Sequence, residues 1–574
     1  MEISGADLFV KALREEGVDT LFAYPGGTAI DLFNALYEVD DIRLVLPRHE
    51  QALVHAADGY ARSTGKVGVC LVTSGPGATN MVTGIATANF DSVPLVCFAG
   101  QVPLSLIGND AFQEVDIVGI TRNICKYAVT VRDRKDLGRI IKEAFYIASS
   151  GKPGPVVIDV PKDIQTSLGP ADYPDTVNIR GYKPNEKVHR GQLKKAVEAL
   201  SNAKRPVFLL GGGVNIAHAR REMTQLAELV NVPVVTTMMG KGAIPTNHPL
   251  YIGNLGIHGN YASNHAIAEA DLIFSIGCRF NDRITGKLSK FAVNTTIVHV
   301  DIDPASISRN IVVDIPIVGD AKNAINQMLE ICQQNDRTDW VQLIHQWKED
   351  YPIHMLKYSG VTPEKIMTSI NKQFDDVIIT TDVGQNQLWA SQYCELDIHR
   401  QLLTSGGLGT MGYGFPAAIG AQVGNMDRHV ISINGDGGFQ MNLQELATAS
   451  LLRLPITICV LNNGYLGNVR QWQQMFYGNR YAMTCLMSNA DCPPHCSGPN
   501  DQCPDHYIPN FQDIAKSYRV QALRVEHEEE IDAAIRTGKE NRDGPTLIEF
   551  MIDREANVLP MVPPGEALDD MILE

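Results

Sequence analysis

No stretch of this 574-residue chain is apolar over the ~18 residues that a bilayer-spanning helix needs, and none opens it in the manner of a signal peptide. No membrane association is expected, and a cytoplasmic location is; a trimmed organellar protein would read the same. Positive charge is also scarce: 49 Lys and Arg stand against 65 Asp and Glu, a formal net charge of −16. That excess of acid argues against nonspecific nucleic-acid binding. Cysteine is sparse, 11 residues in all. Seven lie in or beside apolar segments, Cys70, Cys97, Cys278 and Cys459 among them, and read as small buried hydrophobes of a reducing compartment. The other four, Cys485, Cys492, Cys496 and Cys503, crowd into one loop. No internal repeat or low-complexity tract stands out. What remains, 44% hydrophobic and 20% charged, is a soluble globular composition at a length that suggests three domains.

Strand-like apolar runs alternate with helical periodicity through most of the chain. Residues 1–165 carry strand candidates at 20–24, 42–46, 67–73, 94–99 and 155–160, with helices at 6–15 (capped by Ser4), 51–61 and 137–148 between them. That is the pattern of a doubly wound parallel sheet. Residues 166–188 read as a linker. A second alternating unit spans 189–330, with strands at 206–210, 233–236, 271–276 and 296–300. Gly211, Gly212 and Gly213 close its first strand, Gly277 and Arg279 follow the third, and Asp301 the fourth. An acidic residue at a strand end is a usual ribose ligand in dinucleotide folds, although such glycines can equally be tight turns. Residues 331–360 are charged and read as a second linker. A third unit spans 361–555, with Asp382 to Asn386 after a strand at 377–381 and a glycine-rich segment at 405–414. The tail, 556–574, is irregular and could fold over a site.

The third unit holds the most informative stretch. An apolar run at 430–433 leads into Gly435-Asp436-Gly437-Gly438, then a helical pattern around Leu443, Leu446, Ala447 and Leu451, then a second run at 456–461 ending in Asn462-Asn463. Strand, helix and parallel strand put Asp436 and Asn463, 27 residues apart, on one sheet edge. A carboxylate beside an amide oxygen suits Mg²⁺, which takes few protein ligands and keeps phosphate oxygens. The glycines admit the phosphate, and the following helix N-terminus favours its charge.

Together with this stretch, RHEQA at 48–52, TSGPGATN at 73–80, DAFQE at 110–114, RFNDR at 279–283, SGGLGTMGYG at 405–414 and VRQWQ at 469–473 resemble the catalytic large subunit of the acetohydroxyacid (acetolactate) synthase family. The resemblance covers nearly the whole chain. It implies three α/β domains of doubly wound parallel sheet, binding in turn a pyrimidine, FAD and a diphosphate. It also implies thiamine diphosphate, Mg²⁺ and FAD as cofactors, and a site between two subunits. By the same resemblance, Glu50 is the carboxylate against the cofactor's pyrimidine, although a carboxylate at a helix start has a plain dipole role too. Pro76 and Asn80 are pyrimidine-side residues, Gln113 is a cofactor-binding polar residue near the reacting centre, and Gly27 lies beside the thiazolium. Gly384, Gln385, Asn386, Gly437 and Gly438 are diphosphate-side contacts, Gly409 and Gly467 are further thiamine diphosphate contacts, and Met411 props the cofactor in its bent form. Mg²⁺ is held by Asp436, Asn463 and the Tyr465 carbonyl. Arg283 grips a substrate carboxylate, Trp472 packs on the acceptor, and Lys162 lies near the reacting centre.

For FAD the matching positions are Lys152, Gly211, Gly212, Gly213, His258, Gly277, Arg279, Asp301, Ser306 and Asp320. Lys152 stands where the family has arginine, which keeps the charge but loses the planar fork. Asn468 replaces the usual methionine near the acceptor pocket, and residues 484–506 resemble an insertion. Its Cys-x6-Cys-x3-Cys-x6-Cys spacing, with His495 and His506, could hold zinc or an iron–sulfur cluster, or be a plain or redox-labile loop.

The implied activity joins two pyruvates into 2-acetolactate, or pyruvate with 2-ketobutyrate, the first common step of branched-chain amino-acid synthesis. A homodimer or tetramer and a small regulatory subunit are implied as well. Neighbouring alternatives are a flavin-free catabolic acetolactate synthase, glyoxylate carboligase and pyruvate oxidase. Arg283 with Trp472 favours the biosynthetic form, and Glu50 disfavours the carboligase. A catalytically silent regulatory paralogue is a further alternative, against which intact Glu50, Asp436 and Asn463 argue.

Overall fold

In a computed structural model, which describes residues 2–355, 357–499, 503 and 507–573, the chain forms three six-stranded sheets, each wholly parallel and flanked by helices. Numbered along the chain within each sheet, the first and third share one strand order, 2-1-3-4-6-5. The middle sheet runs 3-2-1-4-5-6, the dinucleotide-binding order. A short antiparallel pair, Glu2–Ser4 with Leu168–Pro170, closes the first domain.

Strand order decides where ligands go. In an open parallel sheet a crevice forms where neighbouring crossovers leave on opposite faces, at the carboxyl ends of the strands. In the first sheet that point lies between Thr20–Ala23 and Gly68–Val72, whose outgoing loops are 24–27 and 73–80. In the third it lies between Val377–Thr381 and His429–Gly435, followed by 382–386 and the Asp436 turn. In the middle sheet it lies between Pro206–Leu210 and Leu272–Ile276, followed by Gly211–Gly213 and Gly277.

Several elements depart from the sequence reading. Strands Tyr127–Thr130, Tyr251–Asn254, Ile315–Val318, Gln401–Thr404, Gln521–Val525 and Thr546–Met551 complete the sheets; most are short or polar edge strands with little alternation. The helical pattern after Asp436 is not continuous. Asp436–Met441 ends at Asn442, with φ −135°, before a 3-10 turn and Leu446–Leu451. The charged stretch read as a second linker contains the helix Thr338–Asp350, which buries Trp340 and Ile344. Trp340 Nε1 donates to the Pro206 carbonyl at 3.1 Å, so this helix packs on the middle domain. The i, i+4 spacing of Trp340 and Ile344 is the signal that charge obscured.

First and third domains meet through helices Glu50–Thr64 and Gly414–Gly424. A side-chain carbon on Gly59 would collide with the Ala417 carbonyl, and one on Gly420 with that of Ala56. The two backbones therefore touch directly. Near the start of the first helix, the buried Glu445 carboxylate accepts the Arg48 N–H at 2.9 Å. The tail crosses from the third domain to the middle one. Val562 N–H donates to the Ile257 carbonyl at 2.8 Å and Lys287 N–H to that of Glu566 at 2.9 Å. Among the described residues no helix is long and apolar enough to cross a membrane.

The helix contact generates a stability prediction. Gly420→Ala must push the two backbones apart and is expected to cost ~1–3 kcal/mol in denaturant unfolding, the usual range for overpacking. Gly544→Ala, where a side-chain carbon meets nothing within 4 Å, should leave the midpoint in place.

Candidate active site

On the first domain the predicted residues gather at the carboxyl edge of the sheet. Glu50 opens its helix, where the dipole favours a carboxylate, and its Oε2 accepts from Asn80 Nδ2 at 2.9 Å. A side-chain carbon on Gly77 would sit 3.4 Å from Glu50 Oε1, so the turn that starts with Pro76 lies directly under the carboxylate. Gly75 has φ +58°, and a Cβ there would fall 2.8 Å from the Gln113 carbonyl oxygen, which brings the DAFQE loop onto the same turn. Lys162 Nζ donates to the Gly27 carbonyl at 3.3 Å and pairs with Asp31 at 3.0 Å. Glu50, Pro76, Asn80 and Gln113 thus form one cluster, and Gly27 with Lys162 flanks it through the contact of Thr28 Oγ1 with Thr73 Oγ1 at 3.0 Å.

A second, small pocket lies on the third domain. Its lining includes Gly384, Gln385, Asn386, Met411, Asp436, Gly437, Gly438, Asn463, Tyr465, Gly467 and Asn468. Pairing of Gly435 with Leu461 brings Asp436 and Asn463 to one edge. The twin asparagines diverge. Asn462 turns inward and donates to the buried Glu549 at 2.7 Å, while Asn463 Nδ2 donates to Gln385 Oε1 at 3.2 Å. Asp436 accepts the Gly464 N–H at 2.9 Å. Burial pushes its carboxyl up to about 7, against the pull of the Gly437 and Gly464 N–H groups. A buried acid of that kind gains from a cation beside it, and a carboxylate, an amide oxygen and a carbonyl oxygen are hard donors that fit Mg²⁺. The glycines keep the cradle open: a Cβ on Gly437 would come 2.7 Å from Leu466 Cδ2, and one on Gly467 would collide with Gln385 Oε1.

A cleft of about 1360 Å³ runs between the domains. It is lined by all ten FAD candidates: Lys152, Gly211, Gly212, Gly213, His258, Gly277, Arg279, Asp301, Ser306 and Asp320. Arg283, Gly384, Gly409, Asn468 and Trp472 line it too. A Cβ on Gly213 would fall 2.7 Å from Gly277 Cα, and Gly277 has φ +62°, so the two loops approach as only glycines allow. This cradle and the strand order above it fit a dinucleotide. Burial lowers the His258 imidazole to about 4, opposed by a hydrogen bond to the Pro560 backbone and aided by the charge of Arg283, and its Nδ1 is buried without a hydrogen-bond partner. Several acidic candidates already have structural work. Asp320 caps Ala321–Ile331 through the Asn323 N–H at 2.8 Å, and Asp301 accepts the Asp303 N–H at 2.9 Å. Lys152 pairs with Asp303 at 3.4 Å.

The structure does not gather the four cysteines of the inserted loop. Among the described residues no three of His, Cys, Asp and Glu stand close enough to hold a metal ion, and all eleven thiols are free of disulfides. Cys485 pairs across to Tyr465 in an antiparallel bridge and meets Arg554 Nη2 at 3.6 Å, whereas Cys492 Sγ contacts Asn489 at 3.6 Å. His506 lies outside the described residues. A binding loop would need the thiolates to converge on one point. Here the loop's first residues are drawn instead onto the turn after Asn463, where Leu466 N–H donates to the Thr484 carbonyl at 2.9 Å.

Sequence reasoning missed the residues that hold this machinery. Asp382, buried with its carboxyl pushed up to about 6, accepts N–H groups of Val383 at 2.8 Å, Gly412 at 2.9 Å and Gly414 at 3.1 Å. It therefore fixes the loop that carries Met411. Gln471 exchanges two hydrogen bonds with Val558, and Arg470 Nη2 reaches the Ala556 carbonyl at 2.7 Å, so the helix of Trp472 anchors the tail. An acidic residue directly after a buried strand was the available signal for Asp382.

Comparison with known proteins agrees with this arrangement. Three thiamine pyrophosphate enzyme models match: the N-terminal TPP binding domain over residues 3–120, the central domain over 193–328 and the C-terminal TPP binding domain over 382–550. Fold and site thus define a thiamine-pyrophosphate enzyme. The chain is 44% identical to the probable acetolactate synthase large subunit of Methanococcus aeolicus, over 99% of this chain and 95% of the relative. It is 42% identical to acetolactate synthase isozyme 3 large subunit of Escherichia coli and 41% identical to acetolactate synthase large subunit of Haemophilus influenzae, over 100% of this chain and 98% of each relative. The chain belongs to the acetolactate synthase large-subunit family, and the other thiamine-dependent alternatives and the silent paralogue are not favoured.

Removing the Asp382 carboxylate strands the Gly412 and Gly414 donors. Asp382→Ala is expected to weaken thiamine diphosphate binding by about tenfold or more, since each orphaned buried donor costs ~1–3 kcal/mol. Titration of cofactor against quenching of intrinsic fluorescence measures it.

Proposed function

We propose that this biosynthetic acetolactate synthase removes CO₂ from pyruvate and joins the remaining two-carbon unit to a second pyruvate or to 2-ketobutyrate, in a site completed by two chains. Thiamine diphosphate, when bound, supplies the electron sink for the charge left by decarboxylation. Glu50 would hold the pyrimidine and exchange a proton with it, steadied by Asn80. Asp436, Asn463 and the Tyr465 carbonyl would hold Mg²⁺ and through it the diphosphate, with Met411 as the prop. Arg283 is 60% exposed and its nearest carboxylate, Asp282, stands 3.7 Å away, so its guanidinium is open to a keto-acid carboxylate. Trp472 shares that cleft and would pack on the acceptor; one methylene is worth only ~1–3 kcal/mol of preference. FAD would lie along Gly211–Gly213, Gly277 and Arg279 as a structural element, because this carboligation has no net redox change.

The observation that carries the shared site is a separation. The pocket holding Asp436 and Met411 has none of Glu50, Pro76, Asn80 or Gln113 in its lining, and neither has the larger cleft, which supports a reading in which the two half-sites are completed by different chains. A homodimer or tetramer brings opposite halves together. The relatives' designation as large subunits supports a smaller regulatory partner. We place the enzyme in the cytoplasm.

Purified protein supplied with pyruvate, thiamine diphosphate and Mg²⁺ should form acetolactate and should be yellow. Glu50→Gln should lower kcat by ~100-fold or more, the range for lost acid–base assistance. Release of CO₂ without acetolactate would sink the carboligase reading. Metal binding should also follow pH. An Asp436 carboxyl near 7 is protonated below that pH, and Mg²⁺ must displace the proton. The apparent Mg²⁺ affinity should therefore fall by ~fivefold between pH 7 and pH 6 and level off above 8; Mg²⁺ titrations of activity at those pH values report it.

A further inference from the structure

Buried charge links the first domain to the loop that carries Gly409 and Met411. Asp91, at the end of helix Val82–Asp91, spends both carboxylate oxygens there: Oδ1 accepts the Gly407 N–H at 2.7 Å and Oδ2 the Gly406 N–H at 3.1 Å. Its counter-charge is Arg62, at 3.0 Å. The same guanidinium donates to the Thr404 carbonyl at 3.0 Å and pairs with Asp58 at 2.7 Å, and Asp58 accepts the Tyr413 hydroxyl at 2.6 Å. Both carboxylates are fully buried. Between these anchors Thr87 Oγ1 meets Thr410 Oγ1 at 2.7 Å, and Asp382 holds Gly412 from the other side. Only Leu408 and Gly409 separate Gly407 from Thr410, and only Met411 separates Thr410 from Gly412. Gly407 has no room for a side chain, since a Cβ would come 2.8 Å from Asp91 Oδ1 and 3.1 Å from Arg279 Nη2.

We propose that Asp91, paired with Arg62, is a positioning residue for the diphosphate half-site of its own chain, although it belongs to the domain that carries Glu50. The inference rests on the shared-site reading above. Two N–H groups on one carboxylate fix the direction of the 406–407 backbone, which apolar contact would not. Arg62 sits on the helix that Glu50 begins. One rigid helix thereby serves two sites: its first residue faces the cofactor held by a partner chain, and its last turns hold the prop for the cofactor held by its own.

Mixed assemblies test this. Asp91→Asn alone should lower kcat by ~tenfold or more with the pyruvate KM changed less than about threefold, as displacement of a catalytic prop does. Two differently tagged chains, co-expressed and isolated over both tags, then locate the effect. A control hybrid of Glu50→Gln with Asp436→Ala puts both defects in one site and should recover about half of wild-type activity, because the other symmetric site is intact. The hybrid of Glu50→Gln with Asp91→Asn should match that control. A recovered control beside an inactive Asp91→Asn hybrid would mean that Asp91 serves Glu50 instead, which overturns the inference alone. A control that stays inactive overturns the shared site and this inference with it. Wild-type kcat in Asp91→Asn homo-oligomers also overturns it. Should Asp91→Asn fail to fold, Thr87→Val, which removes one hydroxyl contact to Thr410, takes its place with the same expectations.

Discussion

Helices Glu50–Thr64 and Gly414–Gly424 touch backbone to backbone, and glycines at 59 and 420 are what let them. From that contact the geometry of both half-sites follows. Glu50 starts one helix, and the loop carrying Met411 runs straight into the other. A shift of the helices would move the Glu50 carboxylate and Met411, the proposed cofactor prop, together. The surrounding interactions act against such a shift: the Asp58–Arg62–Asp91 charges on one side, the Arg48–Glu445 bond on the other. Buried ion pairs of this kind add little net stability, because desolvation offsets attraction, but breaking one partner is costly. They serve orientation more than strength.

The rest of the architecture repeats one device. Three parallel sheets each present a crevice at the carboxyl ends where strand order reverses, and each crevice receives a glycine-rich turn. Identical strand order in the first and third sheets, the two that match thiamine pyrophosphate binding domains, would let the proposed pyrimidine-side and diphosphate-side half-sites be built on matching frames. The middle sheet, with dinucleotide order, lies along the cleft that Arg283 and Trp472 also enter. The proposed flavin cradle and the proposed substrate groups would therefore share walls, and Gly384 and Gly409 line that cleft as well.

Much of this was legible in the residues, because catalysis here depends on local motifs. Asp436 and Asn463 could be paired from strand spacing alone, and central strands such as Pro206–Leu210 and Val377–Thr381 announce themselves as apolar runs. Edge strands such as Tyr251–Asn254 do not, and Thr338–Asp350 was hidden by its charged face. The holding residues were beyond reach for another reason. Asp91 and Asp382 act through backbone N–H groups of segments far along the chain, and no spacing rule encodes such partners. The four cysteines show the converse. Their regular spacing suggested a metal, but chain pairing with the Tyr465 turn draws Cys485 to Arg554 while Cys492 stays with its own loop neighbours.

The proposed site requires that a cofactor anchored by Asp436 in one chain meet Glu50 of another. A crystal structure of the assembled enzyme with thiamine diphosphate and Mg²⁺ decides it. The prediction is a pyrimidine ring hydrogen-bonded to Glu50 from the chain that does not supply the metal ligands. A pyrimidine closed over residues of the metal-binding chain alone, with every Glu50 turned to solvent, would contradict it.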